Sequence, residues 1–228
     1  MAPRTAASQP PVEPDASTRN SVQRLEAKPG PGTLTVWTIG HSNHTLERLS
    51  DLLRAHSIEV VVDVRTSPYS RYSTHFNREQ LERSLESQGI RYIYLGSSLG
   101  GRPSDGSMYD ADGHVLYDLM AASSDFLTAV ERLVRGASEY RIALLCGEED
   151  PISCHRRRLV GRTLQDRGLA LAHIRGDGVV TTEAELEERE ATEFPERFQL
   201  TLEGPPPWRS QHPVSRTEQL DGDRWTES

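Results

Sequence analysis

Lysine is nearly missing from this chain. Of its 26 basic residues only Lys28 is not arginine. Arginine favours bidentate contact with carboxylate and phosphate, although a genome biased toward arginine codons gives the same composition. A surplus of positive charge is also lacking: the formal net charge is -8, which excludes bulk-charge binding of polyanions. No run approaches the roughly 20 apolar residues that span a bilayer. No signal-peptide pattern opens the sequence. A cytoplasmic location is therefore expected, with no membrane partner and with both cysteines reduced. No GxGxxG follows a strand and no GK[ST] follows a glycine-rich loop, so neither dinucleotide binding nor a P-loop is supported. Paired CxxC spacing is absent as well. A phosphatase-type cradle needs an arginine six residues after its cysteine; Ile152 and Val160 stand there instead.

Hydrophobic residues make up 35% of the 228, and the shortfall sits at the two ends. Composition divides the chain into a disordered N-terminal tail (1–32), one α/β domain (33–180), an acidic helix or extension (181–203) and a disordered C-terminal tail (204–228). Within the domain, apolar runs at Leu34–Ile39, Ile58–Val62, Arg91–Leu95, Ile142–Leu145 and Leu169–Ile174 read as strands. Amphipathic segments between them read as helices, capped at Thr45, Asn77 and Ser124 and stopped at Gly89 and Gly136. This alternation predicts a three-layer α/β fold: a mainly parallel sheet of about five strands with helices on both faces.

In such a sheet the C-terminal strand ends share one edge, where ligands bind. His41 and Ser42, Asp63 and Arg65, the loop Gly100-Gly101-Arg102, and Cys146 with Glu148 all fall there. The densest stretch is CGEEDPISCHRRR, from Cys146 to Arg158, read as a strand end whose Asp150-Pro151 opens a helix. Asp63 and Glu148 are candidate acid–base groups, with His41 and His155 assisting. Arg65 and Arg156 are candidate anion clamps, joined in substrate binding by Ser42, Gly100, Gly101 and Arg102. Cys154, in a first helical turn beside His155 and Arg156, reads as a thiol of lowered pKa. Cys146 reads as a small buried apolar residue or a partner in a disulfide with Cys154. Cys146, Cys154 and His155, with His41 as a fourth donor, suit zinc or iron in type but not in spacing, so no metal ligand and no cofactor is assigned. Tyr69, Tyr72 and Phe76 interleave with Arg65, Arg71 and Arg78 in a loop able to stack bases.

TIGHSNHT, DVRTSPYS, LGGRP and CGEEDPISCHRRR, followed by His173-Ile174, resemble the domain-of-unknown-function family 488 from about Trp37 to Ile174. The resemblance implies a small bacterial or archaeal α/β protein with a shared pocket. It implies no settled activity. The sequence thus leaves three functions open. The first is an enzyme, a hydrolase or transferase, acting on a phosphorylated, nucleotide-like or nucleic-acid substrate. The second is a thiol-redox or metal protein built on Cys146, Cys154 and His155. The third is a non-catalytic module binding nucleic acid or protein.

Overall fold

The computed structural model describes residues 32–198 and 207–213. Six strands form one sheet in the order β3-β2-β4-β1-β5-β6. They are β1 (Thr35–Gly40), β2 (Val60–Asp63), β3 (Arg91–Tyr94), β4 (Ile142–Cys146), β5 (Ala170–Ile174) and β6 (Val180–Thr182). The first five are parallel. The sixth, beyond the five expected, returns antiparallel along β5.

Two neighbouring interior strands, VVVD in β2 and IALLC in β4, are buried at every position and apolar but for Asp63. This is the signature of strands covered on both faces. Helix α1 (Leu46–Ala55) follows β1, and α2 (Arg78–Glu86) follows β2. Their leucines Leu49, Leu52, Leu53, Leu81 and Leu85 pack with Ile39, Val61, Ala143 and Leu145 on one face. A helical turn α3 (Gly96–Leu99), then α4 (Tyr117–Ala122) and α5 (Ser124–Glu139), lie between β3 and β4. Phe126, Val130 and Leu133 of α5 cover the opposite face with Val60, Val62 and Leu144. Each such side chain removed from water contributes about 1.5–3 kcal/mol.

The topology locates a crevice. The chain leaves β1 and β2 toward the α1–α2 layer. It leaves β4, which lies between them, toward the other layer. Where neighbouring strands part in this way, a cleft opens at their C-terminal ends.

Several boundaries differ from expectation. The Asp150-Pro151 pair forms a turn. The helix after β4 begins with a π-helical segment, Arg156–Gly161, and continues as α6 (Arg162–Gln165). Short π-helical segments are frequent at functional sites. Ser123, not Ser124, caps α5, its side chain accepting from the Phe126 amide. Helix α5 runs past Gly136 to Glu139, and a Cβ at Gly136 would lie 2.9 Å from Ile142 Cδ1. Close packing, not a helix stop, explains that glycine. The acidic segment forms α7 (Glu183–Glu193), closed at its start by a Thr182/Glu185 capping box. The expected N-terminal tail and most of the C-terminal one lie outside the described residues. Part of the latter, 207–213, lies on the domain: Trp208 Nε1 donates to the Arg158 carbonyl (2.7 Å), and the Tyr117 amide donates to Trp208 O (2.9 Å).

Candidate functional site

The strand ends deliver their residues to the crevice in two groups, one on each side of the sheet edge. On the α1–α2 side, Asp63 is fully buried and accepts from Arg65 Nε (2.9 Å) and Nη2 (2.5 Å) and from the Tyr92 hydroxyl (2.7 Å). Burial, followed by the Asp63 charge, pushes the Tyr92 phenol far above its ordinary pKa, so it remains a donor. Burial opposes the Arg65 charge, but Asp63 outweighs it and holds the guanidinium more firmly protonated than usual.

Arg65 then reaches across the edge, with Nη1 3.1 Å from His41 Nε2. Since arginine can only donate, Nε2 is an acceptor and His41 carries its proton on Nδ1, donating to Ser42 O at 3.0 Å. Burial, reinforced by the Arg65 charge, lowers the His41 pKa to about 4. Its ring stacks on Phe76, with centroids 4.3 Å apart. Ser42 takes a left-handed backbone (φ 42°) and donates its amide to Gly147 O at 2.9 Å. His41, Ser42, Asp63 and Arg65 therefore form one fixed assembly. No donor or acceptor is left over on Asp63 for acid–base work, and Arg65 is committed largely to holding the assembly.

On the α5 side lie the thiols. Cys146 closes β4 on the face of Leu144, and the turn after it returns Cys154 to the same apolar cluster. The two are 6% and 2% exposed, and both are free. His155 Nδ1 faces the pair, 3.8 Å from Cys146 Sγ and 3.9 Å from Cys154 Sγ. His155 Nε2 donates to the Val64 carbonyl at 2.9 Å. The Cys154 thiol, then His155 and Arg156, hold the Cys146 thiol well below its ordinary pKa despite burial. Burial, with the Cys146 sulfur beside it, pushes Cys154 well above. The acidic thiol is thus the reverse of the one expected from the helix position. Desolvation works against a charged His155, yet the Cys146 thiolate outweighs it and raises the imidazole's pKa.

Arg156 is fully buried. Its Nε donates to Thr38 Oγ1 (3.3 Å), its Nη1 to Glu148 O and its Nη2 to Glu149 O (2.7 Å). It clamps the turn that follows Cys146. Glu148 itself is exposed, in an environment unlike that of Asp63, so the two do not form a carboxylate pair across the cleft.

The glycine loop closes the site. A Cβ on Gly101 would meet His155 Cγ at 2.7 Å, and one on Gly100 would meet Thr66 Oγ1 at 2.3 Å. The Arg102 amide donates to Thr66 Oγ1 at 3.1 Å. The Tyr/Arg loop separates in space. Phe76 is buried, Arg78 stacks over Tyr94 at 4.4 Å, and the Tyr69 hydroxyl donates to Glu79. Only Tyr72 of its aromatic residues is almost fully exposed, at 98%. Sequence reading missed Thr38, Val64, Thr66, Tyr92 and Gly147. All five act through a hydroxyl or a backbone carbonyl, which no side-chain pattern announces. Among the described residues no helix is long and apolar enough to cross a membrane.

A search of curated proteins and of solved structures finds no match. A family model described as a domain of unknown function, DUF488, matches residues 45–163, just over half of the chain. That span holds Asp63, Arg65, the glycine loop, both cysteines, His155 and Arg156, whereas Thr38, His41 and Ser42 of the same crevice precede it. By that match the chain belongs to the DUF488 family.

Proposed function

We propose that the protein is a thiol-dependent enzyme in which Cys146 is the nucleophile, His155 the proton carrier and Cys154 the resolving thiol. The observation that carries this reading is the position of His155 Nδ1, less than 4 Å from each sulfur, on a ring whose other nitrogen is tied to Val64 O. One imidazole nitrogen can therefore serve both thiols in turn. The anion-clamp reading has less support, because Arg156 and most of Arg65 are engaged within the protein.

The chemistry follows from thiol–disulfide exchange. The Cys146 thiolate attacks one sulfur of a small disulfide substrate. The substrate S–S bond breaks, a mixed disulfide forms on Cys146, and the departing thiolate takes a proton from the His155 imidazolium. Neutral His155 then accepts the Cys154 proton as that sulfur attacks Cys146 Sγ. The Cys146–Cys154 bond forms and the second substrate thiolate leaves, taking that proton from His155. The substrate is reduced by two electrons and the protein dithiol is oxidised by two. Closing the bond requires the two sulfurs, now within 4.8 Å of one another, to reach about 2.05 Å. The 6% exposure of Cys146 restricts the partner to a small molecule or an extended strand of chain.

The test is stoichiometric reaction with a small disulfide, followed by intact mass and peptide mapping. The expected product is an internal Cys146–Cys154 disulfide, with a trapped mixed disulfide in Cys154→Ser. Exclusive modification of Cys154, or no reaction at all in the folded protein, overturns the reading.

A further inference from the structure

The thiol centre has a second chemical capacity, and the inference rests on the reading of Cys146 as the working thiolate. Cys146 Sγ, Cys154 Sγ and His155 Nδ1 all lie within 4.8 Å of one another. A tetrahedral zinc ion, with bonds of about 2.3 Å to sulfur and about 2.0–2.1 Å to nitrogen, spaces its donors by roughly 3.5–3.8 Å. The two observed nitrogen–sulfur separations, 3.8 and 3.9 Å, are within a few tenths of that. The imidazole is already oriented as a ligand. Its Nε2–H is given to a backbone carbonyl, which leaves Nδ1 to bind, and such outer bonds are the usual support of a metal-bound histidine. Two sulfurs and one imidazole are soft donors, which select zinc-class ions over magnesium or calcium. The cysteines sit in an apolar cluster that a hydrated hard cation would not enter.

Among the described residues no fourth His, Cys, Asp or Glu joins the group. His41 is excluded because Arg65 donates to its free nitrogen. Three protein ligands with a fourth position for water or substrate make an exchangeable site, unlike the closed four-ligand sites that only hold a fold together. Disulfide closure needs two sulfurs and a base within reach; it does not require all three donor atoms to face a common point.

We propose that Cys146, Cys154 and His155 form a site for one zinc-class divalent cation, and that its binding silences Cys146 as a nucleophile. In the bound state both sulfurs are thiolates and Nδ1 carries no proton, so the protons held by the free protein pass to the buffer. The ion takes the lone pair that would attack substrate and holds the sulfurs apart, blocking the disulfide. The Arg156 charge nearby opposes a cation, but two thiolates outweigh it, and its guanidinium is turned to the Glu148 and Glu149 carbonyls.

The test uses the full chain, freed of metal by chelator and titrated with cobalt(II) alone and then zinc(II) alone. One equivalent of cobalt should give sulfur-to-metal charge-transfer absorption and the strong visible bands of a tetrahedral ion, both abolished by zinc. Competition with a chromophoric chelator should show zinc affinity reduced at least about tenfold in Cys154→Ser and in His155→Ala, the scale on which even outer-shell changes act. Zinc should also slow iodoacetamide modification of Cys146 by more than about tenfold. Absence of the cobalt bands in the wild-type protein overturns the proposal without needing any variant, as does metal uptake undiminished in both variants. If metal-free Cys146 reacts rapidly yet no cobalt binds, the metal inference falls and the thiolate reading stands. If cobalt binds through sulfur but metal-free Cys146 reacts no faster than free cysteine, the thiolate reading falls, and the silencing claim with it.

Discussion

His155 Nε2 lies 2.9 Å from the Val64 carbonyl, a bond from the helix after β4 to the end of β2 that fixes which nitrogen faces the sulfurs. Because a carbonyl only accepts, the proton on Nε2 is settled, and Nδ1 is the atom that meets Cys146 and Cys154. After the Cys154 thiol, His155 is the group that most favours the Cys146 thiolate, and removing the ring removes its share. His155→Ala is expected to slow alkylation of metal-free Cys146 at pH 7 by about tenfold or more, one decade per pKa unit of lost thiolate. His155→Gln, which restores a polar group but no proton carrier, should not rescue the rate. A rate equal to wild type in both variants would remove His155 from the mechanism.

The glycines of the site make a sharper structural prediction. A Cβ on Gly40 would lie 1.8 Å from Glu148 O, and one on Gly101 2.7 Å from His155 Cγ. The first neighbour is backbone clamped by Arg156 and cannot yield. Gly40→Ala is expected to cost about 3 kcal/mol or more. Gly101→Ala meets a side chain and should cost about 1–3 kcal/mol while turning His155 away from the thiols. Gly106, where a Cβ meets nothing within 4 Å, serves as the control. Its alanine variant should be within about 0.5 kcal/mol of wild type. Urea unfolding with constant m-value separates the three.

Much of this was legible in the chain. The apolar runs Ile58–Val62 and Ile142–Leu145 marked two of the strands, and alternation of apolar runs with amphipathic segments marked the α/β layers. The antiparallel β6 was hidden because Val180–Thr182 is short and half-buried, with no apolar period to betray it. The crevice was legible because strand order does not alter which end of a parallel strand carries the loop. The acidic thiol was not. Position in a first helical turn favoured Cys154, but Cys154 precedes the helical segment and is shut from solvent. The Cys146 sulfur at the strand end receives the hydrogen bonds instead. Arg156 was read as an anion clamp for the same reason: its sequence neighbours are polar, whereas its spatial neighbours are Thr38 and two backbone carbonyls.

Arg156 should therefore behave as a structural clamp. Its guanidinium satisfies the Glu148 and Glu149 carbonyls and meets Thr38 Oγ1 from a fully buried position. Each buried acceptor left without a donor costs about 1–3 kcal/mol. Arg156→Met, which keeps the volume of the stem, is expected to lose about 3 kcal/mol or more of stability. Thermal melting monitored by circular dichroism checks this, and an unchanged midpoint would show that the 147–149 turn holds itself.

Asp63 is predicted to act through Arg65, not on a substrate. It accepts two guanidinium nitrogens and the Tyr92 hydroxyl with no exposure to solvent. Asp63→Asn leaves the Arg65 charge buried and underpaired, a loss of about 3–5 kcal/mol when one partner of such a pair is removed. The double variant Asp63→Leu/Arg65→Met, which removes both charges, should recover a large part of that loss. If the two single losses simply add in the double variant, the pair is not coupled.

Stability should fall on the acid side because of a cluster on the helix that follows the thiols. Glu190 pairs with Arg157 Nη1 (2.6 Å), Arg158 Nη1 (2.8 Å) and Arg197 Nη1 (3.1 Å), and Glu183 pairs with Arg157 Nε (2.6 Å) and His173 Nε2 (2.9 Å). Burial opposes ionisation of both carboxylates, but these partners outweigh it and hold both below the ordinary value of 4.5. A carboxylate more acidic in the folded state takes up its proton first in the unfolded chain. Its contribution is complete above the unfolded value and is lost as pH falls through the lower, folded one. The melting temperature should accordingly drop steadily below about pH 4.5. Glu190→Gln should cost about 3–5 kcal/mol at pH 7, since it leaves three arginines short of their counter-charge, and should flatten the acid limb of the profile. A variant profile parallel to wild type would mean that Glu190 titrates alike in the two states, and the network would then contribute geometry without charge.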